Sequence, residues 1–356
     1  MAEETPQQKM NRRLNSLHSE LEQLQSSARL SNVRDNVEDM DTLINGLPPR
    51  IQDLRQRGYV FGKGMESKAS GLVVQWKPIQ EKALKEVQHQ VPRLELDLRP
   101  LESQVAQVQA RESIPAAIES TVTRLESELG SFKDRVNAIE NNVRGMYDSF
   151  SRDLNEFKAG LDRVGWMLQQ FAEATFQLLP VEGAVMAVKA AYSKDAKMSK
   201  DDPEGVLYLT DQRLFFEQKQ EVATKKLLFI TTEKVKVQKL LLEVPVALVD
   251  RAVASKKGLF GHEDHLELSF KPGAPVVSAW FHLDGQDCNW WQGLLGQARN
   301  GEFDADRAVA VDPQQGRKAK SAPGKCPSCG APVTQVVLRG MDSIKCEFCQ
   351  FVMRLE

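Results

Sequence analysis

Hydrophobic residues in the first half of the chain recur every three or four positions, the spacing that places them on one face of a helix. A short run of this kind consists of Leu14, Leu17, Leu21 and Leu24. A much longer run consists of Val122, Leu125, Leu129, Phe132, Val136, Ile139, Val143, Met146, Phe150, Leu154, Phe157, Leu161, Val164, Leu168 and Phe171. We therefore predict that residues 1–178 form an elongated all-α domain, a coiled coil or a helical bundle.

The long run predicts one helix of about fifty residues with a narrow apolar seam. Its only irregularity is two consecutive spacings of four at Met146, Phe150 and Leu154. Such a stutter locally relaxes a left-handed supercoil. A seam this narrow needs a second helix to cover it, because two-stranded packing is what buries an alternating three-and-four pattern.

The covering helix can come from the same chain or from a second copy. Within the chain, segments near 7–46 and 66–110 are the candidates, and Pro92, Pro100 and Pro115 are expected to break the middle region. Covering by these segments would give an antiparallel hairpin or bundle. Covering by a second copy would give a homodimer through the long helix, and the sequence leaves both open.

From Leu179 the pattern changes to short apolar runs, which are typical of strands. The runs are VEGAVMAVKAAY, GVLYLTDQRLFFEQ, KKLLFI, KVKVQKL, PVALVDRAVA, DHLELSF and VVSAWFHL. The polar Thr210-Asp211-Gln212 interrupts the second run and predicts a hairpin turn. A helix follows, with Cys288, Trp291, Leu294 and Leu295 on one face. This order predicts a small antiparallel barrel or sandwich closed by one C-terminal helix.

The segment GVLYLTDQRLFF, from Gly205 to Phe216, resembles the signature hairpin of GRAM domains, which belong to the pleckstrin-homology-like (PH-like) superfold. The DHLELSF and AWFHL strands and the tryptophan-bearing helix follow in the order that this family requires. The resemblance covers about residues 179–300. It implies a PH-like β-barrel with a C-terminal helix, which docks on a membrane lipid or on a protein.

The segment KKGLFG offers a candidate membrane contact within this domain. Lys256 and Lys257 precede Leu259 and Phe260 on a glycine-flanked loop. The lysines could meet the phosphates of an anionic membrane lipid while the apolar pair enters the interface. Alternatively, Leu259 and Phe260 fold back to plug the barrel.

Four of the five cysteines follow the spacing C-x2-C-x16-C-x2-C near the end of the chain. They are Cys326, Cys329, Cys346 and Cys349, in a predicted domain of residues 325–356 that follows a flexible linker of residues 301–324. The spacing predicts a tetrahedral four-thiolate site for one structural Zn²⁺, since a closed coordination shell leaves no position for water. A rubredoxin-like iron or a redox dithiol is the alternative. The segment resembles a zinc ribbon, except that Gln350 stands where the second knuckle usually has glycine.

The run His262-Glu263-Asp264-His265 also contains metal-ligand residue types. It lies between a glycine turn and a strand, so its side chains should alternate between the two faces of the sheet. We therefore interpret it as a solvated turn.

Composition narrows the function classes. Lysine and arginine number 47 against 49 acidic residues, and the net charge of −2 gives no overall attraction to nucleic acid or anionic membranes. The N-terminal MAEETPQQKM does not resemble a secretory signal, and no apolar run approaches about 18 residues. We expect a cytoplasmic protein, peripheral at a membrane if it binds lipid. No nucleophile motif, glycine-rich phosphate loop or acid–base pair is recognisable, which favours a non-enzymatic role.

The leading hypothesis is an adaptor that binds protein partners through its helices and ribbon and docks through the GRAM-like domain. The alternative is a nucleic-acid-associated factor that is oligomerised by the coiled coil and binds nucleic acid through the ribbon. The ribbon residues that could contact nucleic acid are Arg339, Lys345, Phe348, Phe351 and Arg354.

Overall fold

The structure is a computed structural model that describes residues 5–110, 117–196, 198–199, 201–227, 230–310, 322–335 and 337–355. At 117, 222–227, 230–234 and 259 it describes the backbone alone. The chain divides into two compact units. The first comprises Met1–Pro49 and Glu66–Ala159, and the second comprises Arg50–Met65 and Gly160–Glu356.

Six helices precede the first strand. They are α1 (Pro6–Ser27), α2 (Ser31–Asn45), α3 (Leu47–Gln56), α4 (Met65–Gln109), α5 (Ala117–Gly145) and α6 (Asp148–Ala172). The first begins with a capping box, in which Thr5 and Gln8 each accept a hydrogen bond from the other's backbone amide. The predicted helical region is present.

The apolar seam of α5 is covered within the chain. Its buried side chains are Ile118, Val122, Leu125, Leu129, Phe132, Val136 and Val143. Helix α1 packs along α5, and Arg13 Nε donates to Glu126 Oε1 across 2.8 Å beside the apolar contact. A homodimer would therefore need a surface other than the part of the seam that α1 occupies.

The prediction of one uninterrupted helix through Met146 was wrong. Helix α5 ends at Gly145 and α6 begins at Asp148, so the break falls at the stutter. The amides of Met146 and Tyr147 bond to carbonyls three residues back, at 3.1 and 3.0 Å. Tyr147 is buried at the break and packs edge-on against Trp76. The irregular spacing of the apolar residues thus coincides with a break between two helices, and not with a relaxed supercoil within one helix.

The predicted breaks at Pro92 and Pro100 were also wrong, because α4 continues through Pro78, Pro92 and Pro100. All three prolines are exposed. Each removes one backbone donor, and the carbonyls that lose it belong to residues that also face water, namely Val74, Gln88 and Leu96. Water can satisfy these carbonyls, so packing of the opposite face keeps the helix intact. Pro115 lies outside the described residues.

The second unit contains one seven-stranded antiparallel sheet. Its strands are β1 (Ala184–Ser193), β2 (Glu204–Thr210), β3 (Arg213–Leu227), β4 (Ile230–Pro245), β5 (Val249–Lys257), β6 (Glu263–Phe270) and β7 (Ser278–Asp284). They are arranged in the order β4-β3-β2-β1-β7-β6-β5. The predicted strands KKLLFI and KVKVQKL are not separate elements, since their described residues fall on the long β3 and β4.

Helix α7 (Cys288–Asn300) follows the last of these strands and packs against β5 and β6. Asp287 caps it by accepting from the amides of Asn289 and Trp290. Trp291 and Leu295 of α7 are fully buried in the core of the sheet. Seven antiparallel strands followed by a C-terminal helix resemble the PH-like fold that the sequence predicted.

The core of this unit also includes the segment between α3 and α4. Phe61, in RGYVFGKG, is buried among residues of the sheet, and Tyr59 and Val60 pack beside it. Two short strands, β8 (Ser343–Lys345) and β9 (Val352–Arg354), form a separate antiparallel hairpin whose turn contains Cys346 and Cys349. Single 3-10 turns lie at Val246–Leu248, Leu259–Gly261 and Glu302–Asp304.

Candidate metal centre and docking surfaces

The structure brings the four predicted cysteines together. Cys326 Sγ lies 3.7 Å from Cys349 Sγ, and Cys329 Sγ lies 3.5 Å from Cys346 Sγ. All four sulfurs lie within 4.8 Å of one another. Thiolates about 2.3 Å from a tetrahedral zinc would be about 3.8 Å apart. The sulfur arrangement therefore fits a single tetrahedral metal ion.

Two similar turns present these sulfurs. The amide of Gly330 donates to the Cys326 carbonyl across 2.8 Å, and the amide of Gln350 donates to the Cys346 carbonyl across 2.9 Å. Both turns need a left-handed residue, with φ of 74° at Gly330 and 62° at Gln350. Gln350 thus adopts a left-handed conformation that glycine would adopt without strain. A residue with a Cβ adopts it at a cost in free energy.

Backbone amides favour the thiolate form at the second turn. Hydrogen bonds from the amides of Cys349 and Phe348 lower the pKa of Cys346 to about 6. The Ala331 amide acts in the same direction on Cys329, but hydrogen bonds with the Cys349, Cys346 and Cys326 thiols outweigh it and raise its pKa to about 12. A bound cation would take the place of the protons that these thiols share.

The loop that precedes β8 is held against the sheet. Arg339 Nη2 donates to Asp211 Oδ2 across 2.6 Å, and the same guanidinium bonds Asp304 at 2.8 and 2.9 Å. Gly340 has φ of 87°, and a Cβ there would lie 2.6 Å from the Gln212 carbonyl oxygen. Only glycine allows the loop to approach so closely. We call this contact of Arg339 and Gly340 the ribbon tip.

Asp211, in the turn between β2 and β3, receives the ribbon tip. Its carboxylate is 2% exposed and also accepts from the Gly183 amide at 2.8 Å and from Arg307 Nη2 at 2.7 Å. Burial raises the pKa of Asp211, although the Gly183 amide and the two arginines oppose this shift. A Cβ at Gly183 would lie 2.6 Å from the Phe61 ring, so this donor too must be glycine. The turn that carries the GRAM resemblance is therefore buried, and its carboxylate binds groups from other parts of the chain.

Part of the predicted linker also contacts Asp211 and the segment between α3 and α4. Asp306 accepts from the amides of Gly62 and Lys63 at 2.9 and 3.3 Å. The Ala308 amide donates to the Val60 carbonyl across 2.8 Å, and Arg307 reaches Asp211 from the same segment. Residues 301–310 are thus bonded to the second unit, whereas 311–321 lie outside the described part of the chain.

The Lys256 loop connects β5 to β6. Lys256 Nζ lies 2.6 Å from Asp264 Oδ1 and 2.9 Å from Asp287 Oδ2. Its hydrogen bonds with these carboxylates raise the pKa of Lys256, and its donation to Asp287 lowers the pKa of that group to about 2. The carboxylates of Asp264 and Asp287 thus neutralise the charge of Lys256 within the domain.

Phe260 lies at the tip of this loop and is 85% exposed. Its φ is 62°, between two glycines that also have positive φ, Gly258 and Gly261. The ring therefore points into solvent and does not plug the sheet. Lys257 lies opposite Glu263 in the ladder, and the side chain of Leu259 lies outside what the structure describes.

The run from His262 to His265 does not converge on one point. Asp264 accepts from Lys256 and from the Cys288 amide. His265 lies on the opposite face of β6, where it bonds Glu263 and stacks on His282. The predicted alternation of faces is present, but no sequence pattern linked this run to His282, which lies on a different strand.

No family model and no curated relative matches the chain. It is similar to the solved N-terminal PH domain of Vps36, with 14% identity and a TM-score of 0.24 over 35% of this chain and 85% of that one. It is also similar to the DH/PH domains of p115-RhoGEF, with 10% identity and a TM-score of 0.20 over 82% of this chain and 100% of that one. Both TM-scores are low, so the PH-like description of the second unit depends on its own strand order and terminal helix.

The fold and the site thus define a seven-stranded sheet domain that resembles the PH-like fold, with a four-cysteine segment held against one of its turns. Among the described residues, no helix combines the length and the apolar character that a membrane span requires.

Proposed function

We propose that this chain is a non-enzymatic adaptor. Its PH-like domain docks on a membrane lipid or on another protein. Its helices and its ribbon bind protein partners, and the ribbon holds one structural Zn²⁺. The observation that carries the proposal is the exposed Phe260 ring at the tip of the Lys256 loop.

An exposed phenylalanine gains roughly 1.5–3 kcal/mol when it enters an apolar environment. A partner that buries the Phe260 ring would obtain this free energy, because the loop holds the ring in solvent. The base of the loop is fixed by the ion pairs of Lys256 with Asp264 and Asp287. A fixed base presents the ring without the entropy cost of ordering the loop on contact.

Insertion of the ring, rather than charge, drives this contact. The sequence predicted that both lysines would attract anionic headgroups, but Lys256 is paired with two carboxylates. Binding to a membrane should therefore depend weakly on salt and on the fraction of anionic lipid. This dependence separates apolar insertion from electrostatic adsorption.

The metal in this proposal has a structural role. Cys326, Cys329, Cys346 and Cys349 would hold Zn²⁺ in a closed shell with no position for a reacting water. Metal binding can supply on the order of 10 kcal/mol to a segment of this size. That energy would hold the hairpin in the form that places the ribbon tip on the sheet.

Vesicle co-sedimentation tests the membrane branch. The full chain is mixed with vesicles of phosphatidylcholine alone and of phosphatidylcholine with phosphatidylserine, at low and high salt. Phe260→Ala should weaken binding about 10- to 100-fold, the equivalent of losing one buried aromatic side chain. Val277→Ala is the matched control, since Val277 is 83% exposed elsewhere on the same domain.

Failure of the parent to bind either vesicle would overturn membrane docking. The protein branch is then tested by placing a photo-reactive amino acid at position 260 and at position 277. Cross-linking to one defined protein from position 260 alone would support it, and equal labelling from both positions would contradict it.

The nucleic-acid alternative retains one favourable observation. Phe348 is 71% exposed and Phe351 is 45% exposed on the ribbon, where bases could stack. Arg339 contributes less than the sequence suggested, because it is paired with Asp211 and Asp304. Single-stranded DNA or RNA binding that is lost in Phe348→Ala would favour this alternative over the adaptor.

A further inference from the structure

Strands β6 and β7 have an outer face that the proposed function does not use. Their inward side chains, including Leu266, Phe281 and Leu283, are buried in the core. Side chains alternate along a strand, so Glu263 and His265 of β6 and His282 of β7 share the opposite face.

These three side chains are already close together. His265 lies directly opposite His282 in the ladder, and their rings stack with centroids 4.9 Å apart and planes 18° apart. His265 Nε2 lies 3.2 Å from Glu263 Oε2. One ligand atom from each of the three residues lies within 4.8 Å of the others.

This spacing suits a single metal ion. Nitrogen and oxygen ligands about 2.0–2.2 Å from a tetrahedral zinc are about 3.4 Å apart. The pair formed by Glu263 and His265 already has such a separation, at 3.2 Å. The remaining approach needs only side-chain rotation of His282, because the ladder fixes its backbone opposite His265.

The chemistry of the set points to a first-row transition metal. Two imidazoles and one carboxylate are ligands that zinc accepts, and three protein ligands leave a fourth position open. The side chain of His265 is 12% exposed. Its Nε2 atom lies beside the Glu263 carboxylate, so both groups can face one ion.

Nearby charges on this face nearly cancel. Lys257 lies opposite Glu263 in β5 and opposes a cation. Asp284 lies two residues beyond His282 on the same face of β7 and attracts one. Neither charge dominates, so the three ligands decide the affinity.

We propose that Glu263, His265 and His282 form a second zinc site on the outer face of the sheet. The site has no thiolate and is separate from the four-cysteine centre. Its fourth position takes water in the free protein or a side chain from a bound partner. A partner that supplies this ligand would dock on the sheet face in a zinc-dependent manner.

Zinc titration of the full chain tests this proposal. Isothermal calorimetry follows protein already loaded with one equivalent of Zn²⁺ as further Zn²⁺ is added. The parent should bind a second equivalent, and His282→Ala, His265→Ala and Glu263→Gln should each weaken that step at least about 10-fold. His262→Ala is the matched control, since His262 is an exposed histidine next to the site and is not part of it. Its second step should be unchanged.

NMR of the histidine side chains identifies where the second equivalent binds. The imidazole signals of His265 and His282 should shift on adding it, while those of His262 should not. Glu263→Gln keeps both rings and alters only an exposed carboxylate, so loss of binding in this variant cannot come from unfolding. Uptake of a single equivalent by the parent, or a second step that Glu263→Gln and His282→Ala leave intact, would overturn the proposal.

Discussion

Arg339 and Asp211 join the cysteine hairpin to the sheet. The guanidinium of Arg339 donates to the buried Asp211 carboxylate across 2.6 Å. The two residues are 128 positions apart in the chain. Asp211 stands in the hairpin turn on which the GRAM resemblance depends, so the segment that carries the four cysteines and this turn are physically linked.

Replacing Arg339 by alanine should destabilise the second unit by about 1.5–3 kcal/mol, because a buried carboxylate loses one of its charged donors. Arg307 still bonds Asp211 in this variant, so the carboxylate is not left without a partner. Thermal denaturation gives the size of the effect, and hydrogen exchange of the β2–β3 segment gives its location.

Arg354→Ala provides the control for Arg339→Ala. Arg354 is exposed on β9 of the same hairpin, so its removal changes the ribbon charge equally without touching Asp211. Equal destabilisation by the two variants would mean that the contact between Arg339 and Asp211 contributes nothing specific.

Removing the metal should have the same consequence as removing Arg339. A chelator that unfolds the hairpin withdraws the ribbon tip, and the β2–β3 turn should then exchange its amide hydrogens faster. Because both changes break one contact, chelation should add little to the faster exchange in Arg339→Ala. Additive effects in the doubly perturbed protein would show that metal and turn are independent.

Local sequence patterns were sufficient for the type of most elements and for the convergence of the four cysteines, but not for every element boundary. The three-and-four spacing predicted the helices, short apolar runs predicted the strands, and C-x2-C pairs predicted which sulfurs converge. Each of these signals depends on residues close together in the chain or on ligand types with a fixed chemistry.

Long-range contacts could not be predicted in the same way. Thr210-Asp211-Gln212 looks like an exposed polar turn, but distant residues bury it, among them Arg307 and Arg339, which donate to Asp211. The packing of Phe61 in the sheet has the same origin, as does the pairing of His265 with His282. The predicted breaks at the prolines of α4 were wrong for another reason. Whether a proline breaks a helix depends on whether water can reach the carbonyl that loses its hydrogen bond, which the sequence does not reveal.

Phe132→Ala should destabilise the first unit by about 3–5 kcal/mol, because the Phe132 ring is fully buried in the seam of α5 and leaves a cavity. Ile139→Asp should cost less than a charge in the fully buried part of the seam, because Ile139 is half-buried. Urea denaturation followed by far-ultraviolet circular dichroism measures both.

Leu96→Ala is the control for the seam, as Leu96 is 63% exposed on α4. Its effect should stay within about 0.5 kcal/mol. A loss as large as that of Phe132→Ala would show that the exposed face of α4 is covered in solution, for instance by a second copy of the chain.

Gln350→Gly should stabilise the metal-bound ribbon by about 1 kcal/mol. Gln350 has φ of 62°, a left-handed conformation that costs a residue with a Cβ about this much and costs glycine nothing. The equivalent position in the first turn, Gly330, gives the reverse test, since its φ is 74° and alanine there should destabilise by a similar amount. Competition with a chelator measures both as changes in zinc affinity, about fivefold tighter for Gln350→Gly and about fivefold weaker for Gly330→Ala. Both turns donate their amide to a cysteine carbonyl through the same backbone geometry, so opposite signs are required. If Gln350→Gly weakens zinc binding instead, the glutamine side chain makes a contact that outweighs its backbone strain.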